Sequence, residues 1–247
     1  MTDRTDWPEP RVPKYYGLKR HLQELILAAQ PGSPLPPERI LAAEFSLSRT
    51  SVRQALYELV VEGRLERVQG RGTFVAQAKR SQPLRLGLSQ PGADGVTRAE
   101  LLGAELRAAD DETAGRLGLR RNTRALRVER LRSEDGAPVA VEAVWLSPRR
   151  FAALARRLPR AAGTDPAGAA AELDETLAAA YGKGPVAGEE AIEVVLAGPR
   201  EAALLGTDIG APLLLLSKHT RDRAGEPVEW MQAWYRGDRS RFVLAVP

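Results

Sequence analysis

The chain has 247 residues, 36 Lys and Arg against 32 Asp and Glu, and no cysteine. That length fits one large domain or two small ones; the missing cysteines exclude disulfides, thiolate metal sites and cysteine nucleophiles, and two histidines, His21 and His219, are too few for a multi-histidine metal site. The longest purely apolar run, Ala211 to Leu216, is far short of the ~18 residues of a membrane span, and Met1 to Pro10 lacks the apolar core of a secretory signal, so the expectation is a cytoplasmic protein without metal or cofactor.

The net charge of +4 is unevenly placed. Residues 1–80 carry 13 basic and 9 acidic residues, whereas residues 81–247 carry 23 of each. A basic surplus confined to one third of a chain is the electrostatic footprint of a polyanion partner. A solvated basic face would give the same count.

Residues 1–13 are polar, with Pro8, Pro10 and Pro13, and read as a flexible tail. From Tyr15 to Ala29 the spacing of Leu18, Leu22, Leu25, Ile26 and Ala29 predicts one face of a helix. A second helix follows Pro36-Pro37 and runs to about Phe45, with Ile40, Leu41 and Phe45 as its apolar stripe. Ser48 is a natural N-cap for a third helix from Arg49 to about Glu62. There Val52, Ala55, Leu56, Leu59 and Val60 form the buried stripe, and Gly63 is the stop. Leu65 to Val68 and Thr73 to Ala76, joined by Gln69-Gly70-Arg71-Gly72, read as a β-hairpin. The domain is bounded at 14–77; residues 78–83 are polar and unpatterned, a linker; residues 84–247 form the second domain.

That second stretch alternates. Strands are predicted at Arg124 to Ser133, Pro138 to Leu146, Glu190 to Ala197, Leu213 to Arg223 and Val228 to Arg236. Helices are predicted at Asp110 to Leu117, Pro148 to Leu158, about Ala170 to Tyr181, and Arg200 to Leu205. Each of two halves runs helix, Leu-Gly, strand, Gly turn, X-Pro-Val, strand, which reads as an internal duplication or as two hairpins sharing turn chemistry. The fold class is α+β: a winged helix-turn-helix followed by an α+β sheet domain.

Two short helices, a tight turn, a third helix and a hairpin match a helix-turn-helix with a wing, whose recognition helix enters the major groove by its N-terminal end. Arg49, Arg53 and Tyr57 lie four apart, opposite the apolar face, and Thr50 and Gln54 form the adjacent stripe. Arginine suits bidentate guanine readout, glutamine suits adenine, and hydroxyls suit phosphate.

The run from Leu35 to Ala76, LPPERILAAEFSLSRTSVRQALYELVVEGRLERVQGRGTFVA, closely resembles the GntR family of bacterial transcription regulators. The resemblance implies that Arg39, Arg49, Thr50, Ser51, Arg53, Gln69 and Gly70 contact DNA; Gln54 joins them from its helix stripe and Arg71 on charge grounds. One departure is Pro37, where the family usually has a capping Ser; a lost side-chain cap costs about 1 kcal/mol.

Residues 84–247 resemble the UTRA effector-binding domain of the HutC-like branch. The resemblance rests on Arg130-Leu131-Arg132, Asp135-Gly136, Pro138, Glu142, Glu229 and Tyr235-Arg236-Gly237-Asp238-Arg239. It implies a fold similar to chorismate lyase and a small-molecule effector, sugar phosphates and histidine-pathway metabolites being known examples in the branch; a two-fold dimer reading a short inverted repeat is expected because symmetric oligomers impose symmetric half-sites. Where sugar-phosphate sensors have a small hydroxyl residue, Glu172 stands, and a carboxylate there would repel phosphate.

Strand parity adds an independent argument. Leu126, Val128, Arg130 and Arg132 share a face, as do Ala140, Glu142, Val144 and Leu146, and Glu229, Met231, Ala233 and Tyr235. A carboxylate on an apolar face must be matched, by an arginine of the fold or by a ligand. His219 and Arg221 share a face on another strand, and His219 is a further candidate for the effector site. The set Arg130, Arg132, Glu142, Glu229, Tyr235 and His219 suits a small polar anion or zwitterion.

Catalytic signals are poor. Gly87-Leu88-Ser89-Gln90-Pro91 lacks the second glycine of a nucleophile elbow, and the Asp110-Asp111-Glu112 and Glu189-Glu190 clusters read as solvated ends. The expectation is a ligand-responsive transcription repressor, not an enzyme. The rivals are a lyase-like enzyme with a DNA anchor and a nucleoid-type binder with no effector.

Overall fold

A computed structural model describes residues 12–83, 97–181 and 187–243. Two sequence expectations, the tail at 1–13 over most of its length and the Gly87-to-Pro91 segment, lie outside the described residues. The chain divides into two compact units, Met1–Lys79 and Arg80–Pro247.

The first unit packs α1 (Tyr15–Ala28), α2 (Glu38–Glu44) and α3 (Arg49–Val61) with an antiparallel hairpin of β1 (Leu65–Val68) and β2 (Gly72–Val75). Its core joins Leu18, Leu22 and Ile26 of α1, Leu41 of α2, the Val52, Ala55, Leu56 and Leu59 stripe of α3, and Leu65 and Val75. Leu25 and Ile40, expected in the apolar stripes, are instead 40% and 44% exposed. On α1 the buried seam steps by four residues, which leaves Leu25 one position off it; on the short α2, Leu41 alone reaches the core.

The ends of α3 follow from local chemistry. Ser48 is extended and its side chain accepts from the Ser51 N–H at 3.1 Å. Gly63 takes φ +69°, which lets the Arg64 N–H reach back to the Leu59 carbonyl at 2.9 Å. Pro37 starts α2 without a side-chain bond, but its carbonyl accepts from Ile40 and Leu41 at 2.8 and 3.2 Å.

The second unit is built on a six-stranded antiparallel sheet in the order β4-β5-β6-β9-β8-β7. The strands are β4 (Thr97–Ala108), β5 (Arg124–Glu134), β6 (Ala137–Leu146), β7 (Ala187–Leu196), β8 (Pro212–Arg221) and β9 (Pro227–Arg236). One face packs under α5 (Ala152–Ala161) and α6 (Pro166–Tyr181), through Leu154, Leu158, Leu173 and Leu177. The other carries α4 (Asp111–Arg116) against Trp230 and Ala125, and α7 (Pro199–Leu205) against Val141 and Leu213. The unit therefore runs strand, short helix, hairpin, twice, and the sheet order is symmetric about the β6–β9 pair. Both short helices are followed by a left-handed glycine, Gly118 at φ +62° and Gly206 at φ +60°. The β5–β6 hairpin closes on Asp135 and Gly136, both at positive φ, the two-residue turn whose twist matches the strands.

Two regions differ from the sequence reading. Residues 80–83, taken as part of a linker, form β3 (Arg80–Pro83), which pairs in parallel with β10 (Ser240–Val243). The partner lies 160 positions away, so no local pattern announces the strand. β4 was not expected either: Thr97 to Ala108 is rich in Ala, Glu, Leu and Arg, which favour helix, and its strand state comes from pairing along the whole of β5.

Candidate functional sites

In the first unit the apolar stripe of α3 is buried while Arg49, Thr50, Arg53, Gln54 and Tyr57 stand exposed, with Ser51 half-buried beside its cap. Arg39, in the first turn of α2, is exposed, as are Gln69, Gly70 and Arg71 of the hairpin turn. Gly70 and Gly72 take φ +74° and +118°, conformations that a side chain would strain. Arg71 stacks over the Phe74 ring at 5.6 Å.

Glu38 is a member of this surface that motif reading missed. It opens α2, accepts from Arg53 Nε at 2.8 Å and lies 3.4 Å from the Arg67 guanidinium on β1. One carboxylate thus links the recognition helix to the hairpin. Behind the surface, Lys19 bridges Glu58 and Glu62 at 2.6 and 2.7 Å, and Tyr15 and Gln54 both donate to Glu58. Lys19 and Tyr15 hold the Glu58 carboxyl down at about 2.

In the second unit, neighbouring strands bring charged residues together beneath α6. Arg130 donates to Glu142 and to Asp174 of α6, and Arg132 lies 3.4 Å from Glu142. Across β9, Lys218 pairs with Glu229 at 2.6 Å, and the Tyr181 hydroxyl donates to the same carboxylate. Arg130, Glu142, Lys218, Glu229 and Tyr235 are all buried. Burial works against charge on Glu142, yet Arg130 and Arg132 hold its carboxyl below the usual range. Burial and the nearby Glu142 push the Tyr235 hydroxyl up.

Parity reading thus brings together Arg130, Arg132, Glu142, Glu229 and Tyr235. It missed Asp174, Tyr181 and Lys218, because β8 takes its place through the sheet order and α6 through packing on the sheet face. His219 is a correction: on β8 side chains alternate, so Lys218 and Thr220 face α6 while His219 and Arg221 point to the opposite face, beside α4. Glu172 is another: it pairs with Arg157 of α5 at 3.2 Å, and the α6 carboxylate beside Arg130 is Asp174. Of the acidic clusters, Asp110 caps α4 by accepting from Thr113 N–H at 2.7 Å, and Glu189 pairs with Arg116 at 2.7 Å. No group of three or more metal-binding side chains occurs among the described residues. No helix among them is long and apolar enough to cross a membrane.

Comparison with known proteins agrees with this architecture. Residues 14–75 match bacterial regulatory proteins of the gntR family, and residues 93–241 match the UTRA domain. The chain is 34% identical over 241 residues to the HTH-type transcriptional repressor PhnF of Mycolicibacterium smegmatis, covering 96% of this chain and 94% of the relative. It is 32% identical over 248 residues to the HTH-type transcriptional repressor NagR of Bacillus subtilis, covering 94% of each. The crystal structure of PhnF from Mycobacterium smegmatis superposes with a TM-score of 0.58 at 31% identity, over 93% of this chain and 98% of that one.

Proposed function

The chain belongs to the GntR family of DNA-binding transcription regulators and carries a UTRA effector domain, and from that premise we propose that it is a cytoplasmic repressor acting on chromosomal DNA, which as a homodimer releases or tightens on an inverted-repeat operator when a small polar molecule binds its second unit. No enzymatic role is assigned, since the family and its relatives are regulators.

The observation that carries the reading is the buried charged cluster under α6. Arg130, Arg132 and Lys218 face Glu142, Asp174 and Glu229, three cations against three carboxylates. Pairs held this way are poor stabilisers compared with apolar packing. A ligand that exchanges its own polar groups for these pairs would tip the balance between two arrangements. Because these six charges balance, and Glu190 adds a further carboxylate beside Lys218 and Glu229, a zwitterionic or hydroxylated molecule fits the cluster better than a phosphate dianion does. Asp174 and Glu142 would have to yield for such an anion.

On the DNA side, Arg49 and Arg53 supply base readout from α3, with Thr50, Ser51 and Gln54 beside them; Arg39, Gln69, Gly70 and Arg71 hold the phosphates. Dimerisation is supported by β7, an edge strand whose Ile192, Val194 and Leu196 are 39%, 71% and 70% exposed on one side. An exposed apolar edge is a pairing liability unless a second surface covers it. A symmetric dimer would impose symmetric half-sites.

Mobility-shift titration with the DNA upstream of the chain's own gene tests the DNA arm. Sequence-specific binding at moderate salt is expected, and its absence overturns the reading. Thermal-shift screening against amino acids, imidazoles, sugars and sugar phosphates tests the effector arm, since a molecule that binds the folded state raises the melting temperature.

A further inference from the structure

The α4 side of the sheet holds a cleft of about 420 Å³, lined by Gly115, Arg116, Gly188, Glu189, His219 and Arg221. It lies across the sheet from the charged cluster described above. We infer that this cleft is a second ligand site, built for a small hydroxylated monocarboxylate of the sugar-acid type.

The first argument is His219. It is only 6% exposed, and among the described residues its Nε2 has no hydrogen-bond partner. Its ring also bonds to the Arg116 backbone. That bond uses the ring N–H and leaves Nε2 as the acceptor of a neutral imidazole. Burial, with the Arg221 and Arg116 charges, lowers the proton affinity of the ring and keeps it neutral. Native folds rarely leave a buried acceptor unmatched. It belongs to a residue that lines a cleft large enough for a metabolite, and an occupant that brings a donor can match it.

The second argument is charge. Arg116 is pinned by Glu189 at 2.7 Å and by the Trp230 ring at 4.9 Å. Arg221 spends one N–H on the Gly225 carbonyl at 2.9 Å, and its remaining donors are available to a ligand. Among the lining side chains, two guanidiniums, one carboxylate and a neutral imidazole leave one surplus positive charge; Glu112, 3.9 Å from Arg116 and 60% exposed, lies outside the lining. A monoanion balances it, and a planar carboxylate fits the fork of Arg221. The donor to His219 is a hydroxyl: an ammonium would sit against two guanidiniums. A second hydroxyl can donate to Glu189. At the cleft edge Gly188 lets β7 approach β8 closely, since a Cβ there would meet the His219 carbonyl oxygen at 2.6 Å.

Sodium gluconate is the probe. Calorimetric titration of the full chain should give saturable binding. Binding should fall by about tenfold or more in His219→Phe and in Arg221→Gln, because each removes one partner of a buried polar contact. It should stay within about twofold in Arg157→Gln, an exposed side chain on α5 across the sheet. A second measurement needs no cleft variant. The chain has two histidines, so its ring spectrum carries two sets of signals, and His21→Gln assigns them. Gluconate should move the His219 signals and leave those of His21 in place. No saturable binding at tens of millimolar (about the weak limit for a metabolite site) overturns the proposal. So does binding that survives His219→Phe, that is lost in Arg157→Gln, or that leaves the His219 signals unmoved.

Discussion

The residues assigned to DNA stand in water, and those assigned to the effector are buried against one another. Arg53 is 64% exposed although Glu38 holds its Nε, whereas Arg130 is 5% exposed and is gripped from two sides. The same residue type therefore does two jobs. An exposed guanidinium costs little to hold and is ready for a polyanion. A buried one is tolerable only while its carboxylates stay in place. The reading head should therefore tolerate substitution and lose function, while the sensor should lose stability first.

The sharpest way to break that contrast is Glu142→Ala. It removes the carboxylate shared by Arg130 and Arg132 and leaves Arg130 with Asp174 alone. The expected cost is about 3–5 kcal/mol, the range for orphaning one side of a buried pair. Urea denaturation followed by tryptophan fluorescence reports mainly on the right unit, since three of the four tryptophans, Trp145, Trp230 and Trp234, lie in the second. A loss below about 1 kcal/mol, the scale of an exposed pair, would mean that the cluster is not the stability-critical element the geometry makes it.

Arg53→Ala should do the opposite. Stability should change little, while operator binding weakens by about 1–3 kcal/mol with relaxed preference at one base pair. Mobility shifts on a set of operator variants read this directly. Uniform weakening across all sequences would make Arg53 a phosphate contact.

These two residues also show why the halves were unequally legible. Arg53, Arg49 and Gln69 to Arg71 were readable because helix, turn and hairpin follow one another along the chain, so linear spacing is spatial spacing. Glu142 and Arg130 were readable from strand parity on a single hairpin. Asp174, Tyr181 and Lys218 were not: α6 is laid on the sheet by long-range packing and β8 is placed by the sheet order β4-β5-β6-β9-β8-β7, neither of which local periodicity encodes. His219 was misplaced for a related reason. Parity told which residues of β8 share a face, but only the sheet fixed which face meets α6. β3 and β4 were missed because long-range pairing overrode local propensity.

A pH titration probes the frame behind the reading head. Glu58 has its folded value depressed to about 2 from the ordinary glutamate value of 4.5 by Lys19 and Tyr15. Its contribution is thus present above about 4.5 and is lost as pH falls toward 2. The expected loss is on the order of 1 kcal/mol once solvent screening is allowed for. Hydrogen exchange of α1 and α3 amides between these limits should show it, and Lys19→Met should flatten the pH dependence. An unchanged profile in that variant would remove Lys19 as the cause.

Glu38→Gln is the smallest and most discriminating change. Glu38 and Arg53 are 30% and 64% exposed, so their pair should contribute no more than about 1 kcal/mol to stability. Its effect belongs to recognition. With Nε fixed by Glu38, the two terminal nitrogens of Arg53 are held forward for a bidentate contact, and Arg67 of the wing is drawn to the same carboxylate. Removing the charge also removes a local repulsion toward phosphate. Non-specific affinity should therefore rise slightly while the specificity ratio falls a few-fold, at the base pair that Arg53→Ala relaxes. The double variant should be no less specific than Arg53→Ala alone, because the glutamate acts only through that arginine. Additive losses in such a cycle would give Glu38 a separate contact with the DNA, and a rise in specificity would make it a competitor for Arg53.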